Sequence, residues 1–159
     1  MHRPKVWWAA ACLFFLSACD TDRVYEQNID LEENNWAVEN APVFEFEIQD
    51  TTQQYDVYFN VRYNLQYNFY NLYIQHQLTG PDSSRISEKL HQLLLMDSKT
   101  GKPLGKGFSD TYDLQARALK GITFPKAGIY RLKLTQYMRQ DPLADIISVG
   151  VRVAKHKTE

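Results

Sequence analysis

The sequence predicts an all-β protein, an antiparallel β-sandwich (Ig-like or jelly-roll-like) of about 7–9 strands. Three observations predict it. Beyond residue 42 apolar residues recur with period two, as they do in strands that bury one face. Clusters of Gly, Pro, Asp and Ser punctuate these runs as turns do. Ten Tyr, eight Phe and three Trp enrich the 159 residues in types that suit a pleated surface.

Phe44, Phe46 and Ile48 alternate with Glu45, Glu47 and Gln49. Tyr55, Val57, Phe59, Val61 and Tyr63 alternate with Asp56, Tyr58, Asn60 and Arg62. Leu72, Ile74, His76 and Leu78 then alternate with Tyr73, Gln75 and Gln77. Segments of about 89–97 and 112–124 read as strands with poorer alternation, and Leu90, Leu93 and Leu94 would also share one face of a helical turn. The last runs are Tyr130 to Met138 and Ile147 to Val153. Turns fall at Gln49–Gln54, Thr79–Asp82, Asp97–Gly101, Pro125–Gly128 and Asp141–Pro142.

Ahead of this body, Arg3 and Lys5 precede an apolar run, Val6 to Leu16, and then Leu16-Ser17-Ala18-Cys19. A basic start and a short apolar core mark a secretory signal, too short to span a bilayer. The Leu-Ser-Ala-Cys ending resembles a bacterial lipobox, in which the cysteine is acylated and becomes the first mature residue. The expected organisation is a signal over 1–18, lipidated Cys19 with an acidic tether or first strand over 19–40, and the sandwich over 41–159. Two or three acyl chains at Cys19 hold a protein on a membrane effectively permanently, since each buried methylene contributes about 0.8 kcal/mol.

Losing the signal removes two cations and no acid, taking the net charge from −1 to −3. Nothing here favours nucleic acid. Cys12 leaves with the signal and Cys19 is capped, so disulfides, cysteine catalysis and cysteine-based metal sites are excluded. His76 lies on an apolar face and His91 has no ligand-spaced neighbour, so neither marks a metal centre. Gly101 to Gly107 lacks phosphate-loop spacing, and Asp20, Asp22 and the acids at 26–33 lack the calcium-loop pattern. No cofactor or catalytic constellation emerges, and an enzyme is not expected. Tyr63, Tyr67, Tyr70 and Asn71 form a candidate recognition surface, because Tyr and Asn stack on sugars and anchor protein interfaces; the competing reading is plain strand packing, which the same residue types also favour.

The chain resembles the gliding-motility lipoprotein GldH family of the Bacteroidetes. The residues that carry the likeness are Cys19-Asp20, Val24-Tyr25-Glu26, Trp36 ahead of Phe44 to Ile48, and Tyr67 to Ile74. Gly101 to Gly107, Phe124 to Tyr130 and Gln136 to Leu143 add to it. The resemblance implies a non-catalytic envelope lipoprotein that supports gliding and the type IX secretion machinery, with other motility or secretion envelope proteins as partners. It carries over one residue by motif, Cys19 as the lipidation site, and favours the periplasmic side of the outer membrane over the inner membrane. Asp50-Thr51-Thr52 matches the short O-glycosylation pattern of that phylum, which makes Thr51 a candidate acceptor. The rival expectation is a β-sandwich lipoprotein that binds peptidoglycan or another polysaccharide.

Overall fold

A computed structural model describes residues 20–157. Cys19 lies outside the described residues. Eleven strands follow one another: β1 (Arg23–Asp30), β2 (Asn35–Trp36), β3 (Val43–Ile48), β4 (Tyr55–Asn64), β5 (Asn71–Thr79), β6 (Arg85–Leu94), β7 (Lys106–Phe108), β8 (Thr111–Ile122), β9 (Gly128–Gln136), β10 (Leu143–Ala144) and β11 (Ile146–Lys155). The described residues hold no α-helix, only a short turn at Glu32–Asn34. The leucines of 89–96 therefore lie in and just after a strand, not on a helical turn, because Leu72 and Ile74 of β5 pair with Leu93 and His91 of β6.

One sheet runs β1-β11-β4-β8-β7 and the other β3-β9-β5-β6, with β2 and β10 as a small separate pair. Pairing β1 with β11, β3 with β9, β4 with β8 and β5 with β6 makes the chain one long antiparallel hairpin. Its turn is Gly80–Ser84, closed by the Gly80 and Ser83 amides. Rolling that hairpin sends successive pairs alternately to the two sheets, which is the jelly-roll arrangement. Of the two sandwich types expected, this is the one formed.

Period two explains the core. The inward positions of β4 (Tyr55, Val57, Phe59, Val61 and Tyr63) are all buried. They face Leu72, Ile74 and Leu78 of β5 and the buried residues of β3 and β9. Each fully buried side chain of this size contributes about 1.5–3 kcal/mol. Aromatic clusters close both ends. At one, Phe124 packs edge-on against Tyr130 and Tyr55, with ring centres 4.6 and 5.4 Å apart. At the other, Tyr63 meets Tyr67 and Tyr112. Strand β9 stops at Gln136, two residues short of the alternation in the sequence. The buried Gln136 amide accepts the Met138 N–H at 2.7 Å and donates to the Gln140 carbonyl at 3.0 Å, turning the chain there.

Connectivity defines two ends. Strand β1 leaves from Arg23, beside Ala154 and the start of β4. Turns 49–54, 80–84 and 123–127 lie at this same end, and segments 65–70, 95–105 and 137–142 lie at the opposite one. Ten-residue β4 separates the ends by roughly 30 Å.

Candidate functional site

The aromatic segment expected to form a recognition surface is mostly inside the molecule. Tyr63 is 0 % exposed. Its hydroxyl donates to the Leu95 carbonyl at 2.5 Å and accepts the Gly105 N–H at 3.2 Å. Tyr67 is buried and donates to the carbonyl of Asn71, itself buried, at 2.9 Å. Burial pushes the Tyr67 phenol well above its usual range. Only Tyr70 remains substantially exposed. The expectation for Tyr63, Tyr67 and Asn71 is therefore corrected: alternation turns Tyr63 inward, and segment 65–70 folds back to plug the sandwich end with Tyr67. Their rings and amide serve packing and cannot stack on a sugar.

The exposed apolar surface lies next to that plug. Phe69, Tyr73, Leu90, Tyr137, Met138 and Arg139 line a cleft of about 370 Å³. Tyr137 is 61 % exposed. Its N–H donates to the Tyr73 carbonyl at 2.8 Å, and the Tyr73 N–H donates to Met138 Sδ at 3.3 Å, so segment 137–139 is laced to β5. Phe108, at the tip of the β7–β8 hairpin, is 91 % exposed. Leu65, Tyr70, Leu94 and Leu104 add exposed apolar area at this end. Sequence reasoning missed the cleft because Tyr137 and Met138 read as a continuation of β9.

A second depression, an open furrow of about 550 Å³, crosses the outer face of the five-stranded sheet. Its polar groups stand in register: Asn28, Gly150, Asn60 and Gln115 are successive cross-strand partners, and so are Asp30, Ser148, Arg62 and Asp113. No single segment announces this furrow, because its residues come from five strands and the segment before β7.

Between the sheets, His76 Nδ1 lies 2.7 Å from His91 Nε2, and His76 Nε2 lies 2.6 Å from Ser87 Oγ. His76 is fully buried, and Phe59 packs edge-on against both rings. Burial foremost, helped by His91 and Lys89, pulls the His76 pKa down to about 4. Burial likewise lowers that of His91, helped by Lys89. Both rings are thus neutral near pH 7. Among the described residues no three His, Cys, Asp or Glu side chains gather as metal ligands.

The profile of the family described as GldH lipoprotein matches residues 23–153. The chain belongs to the GldH lipoprotein family. Two relatives resemble it along nearly their whole length. A gliding motility lipoprotein GldH homolog of Christiangramia forsetii is 29% identical over 150 residues, 90% of each chain. The gliding motility lipoprotein GldH of Flavobacterium johnsoniae is 25% identical over 152 residues, 91% of each. Family membership makes this a lipid-anchored protein of the cell envelope.

The first described residues, from Asp20 on, are pinned rather than loose. The Arg152 guanidinium donates to Asp20 at 2.5 Å and holds its carboxyl below the usual range, and Asp22 pairs with Lys157. The Lys155 N–H donates to the Asp22 carbonyl, prolonging the β1–β11 ladder. The acidic stretch from Asp20 on thus belongs to the fold. Thr51 is exposed in the β3–β4 turn, where Asp50 accepts both the N–H and the hydroxyl of Thr52.

Proposed function

We propose that this GldH-family lipoprotein is a non-catalytic component that supports gliding motility and the associated type IX secretion machinery by binding envelope proteins. The observation that carries the reading is the opposition of two features. The acylation residue immediately precedes a chain pinned at one end of the sandwich, and the exposed aromatic residues Tyr70, Phe108 and Tyr137 sit at the other end. Held at Cys19, the body offers its apolar end roughly 30 Å from the bilayer, the length of a ten-residue strand. Confinement to one leaflet raises the effective concentration of the partner, so a modest interface suffices. Apolar clefts with an exposed aromatic anchor are the surfaces that proteins use for one another.

We place the protein on the periplasmic side of the outer membrane. The test is made in the native host. Cys19→Ala is expected to yield a folded domain, lost from the membrane fraction, with motility and secretion abolished. A photo-crosslinking residue in place of Tyr137 is expected to capture a motility or secretion protein that the same residue at Thr51 does not. Full motility from the Cys19→Ala chain would overturn the reading.

A further inference from the structure

We propose that the furrow across the five-stranded sheet binds an uncharged glycan chain lying perpendicular to the strands. Three observations meet there. The first is the amide ladder. Asn60 Nδ2 donates to Asn28 Oδ1 at 3.1 Å, and Gln115 Nε2 donates to Asn60 Oδ1 at 2.9 Å. These bonds hold three primary amides in one row across β1, β4 and β8. The row ends in a donor at Asn28 Nδ2 and an acceptor at Gln115 Oε1, neither of which has a partner among the described residues. Sugar hydroxyls both donate and accept, and amides offer both functions from one side chain.

The second observation is the floor. Strand β11 presents Ser148 and Gly150 outward where its neighbours present Asn28, Asn60 and Arg62. Glycine inside a strand weakens it and often marks a place where a ligand or another group comes close. A Cβ at Gly150 would lie 1.9 Å from Asn28 Oδ1 and 2.6 Å from the Gln27 carbonyl. The glycine thus lets the Asn28 amide cross β11 toward Asn60. Four adjacent strands span about 14 Å, enough for a trisaccharide.

The third is charge. Arg62 pairs with Asp113 at 2.8 Å, and Glu26 accepts the Asn60 amide at 3.0 Å and faces Arg152 at 3.5 Å. Acids and bases thus offset each other around the ladder, which favours a ligand without net charge over a phosphate polymer or an acidic polysaccharide. Half-exposed Leu104 stands at the rim and offers an apolar contact to the C–H face of a ring.

The inference is independent of the protein-binding role, because the furrow and the apolar cleft lie on different sheets. It is tested with the full chain in a detergent without a sugar head group, titrated calorimetrically with chitotriose, cellotriose and trigalacturonic acid. One of the two uncharged trisaccharides is expected to bind. Asn60→Ala and Gln115→Ala should each weaken it about tenfold, as loss of a ligand hydrogen bond does, and Tyr137→Ala should leave it unchanged. Gln115 is exposed on β8, so its variant keeps the test valid if Asn60→Ala loosens the sheet. Retained affinity in Gln115→Ala, binding of trigalacturonic acid alone, or no binding of either uncharged sugar at millimolar concentration would overturn the proposal.

Discussion

The furrow and the cleft are built by opposite means. The furrow lies on regular sheet, its residues placed by hydrogen-bond register, and its polar groups engage one another before any ligand arrives. The cleft lies where β9 gives way to a turn, and its apolar groups, Tyr137 above all, face solvent unsatisfied. A polar surface can be complete in isolation, because amides and ions can satisfy one another. An apolar surface can be completed only by something else that covers it. Substitutions on the strand beneath the furrow should therefore cost stability, and those at the cleft should cost function alone.

The sharpest test of that contrast is Gly150→Val. Two branched methyls would have to displace Asn28 and the Gln27 carbonyl, and a loss of about 3 kcal/mol or more is expected in denaturant unfolding. A variant as stable as the parent would break the account of the sheet face. The next effect is the pH dependence of the buried histidine pair. The folded state lowers the His76 pKa to about 4 from 6.5. Between these values the unfolded chain binds a proton that the fold refuses. Stability is therefore full above about pH 6.5 and falls toward pH 4, by about 2–3 kcal/mol for this group. His76→Gln should flatten the profile in that window, read by unfolding at pH 7 and pH 4.5.

Tyr63→Phe keeps the ring and leaves the Leu95 carbonyl and Gly105 N–H without their hydroxyl. A cost of about 1–2 kcal/mol is expected, read as a lowered melting temperature. Sugar binding should not change, which separates a packing tyrosine from a stacking one. At the cleft, Tyr137→Ala should alter stability by less than about 0.5 kcal/mol while gliding and secretion fail. An equal loss of stability there would erase the contrast between the two regions. The smallest structural effect is expected of Thr51→Ala. Its melting curve should match the parent's, while intact mass from the native host should lose one glycan. An unchanged mass would remove Thr51 as an acceptor.

Much of this molecule is set by local chemistry. Phe44, Phe46 and Ile48, or Val57, Phe59 and Val61, place a strand and choose its buried face with no help from distant residues, because side chains on a strand alternate whatever it pairs with. The role proposed for Cys19 rests on its place behind an apolar leader, which is likewise a reading in one dimension. Local chemistry fails at Tyr63, Tyr67 and Asn71. A tyrosine suits a sheet rim and a core end equally, and only the return of segment 65–70 decides which. It fails again at Gln136, where a buried amide ends a strand whose alternation runs on. Asn28, Asn60, Gln115 and Gly150 are unremarkable along the chain. Register between strands up to 122 residues apart (Asn28 and Gly150) puts them in one row. Strand identity thus follows from the sequence itself, because it depends on near neighbours. The jelly-roll pairing, the plug, the furrow and the cleft exist only in the tertiary structure, because each depends on which distant segments the rolled hairpin brings together.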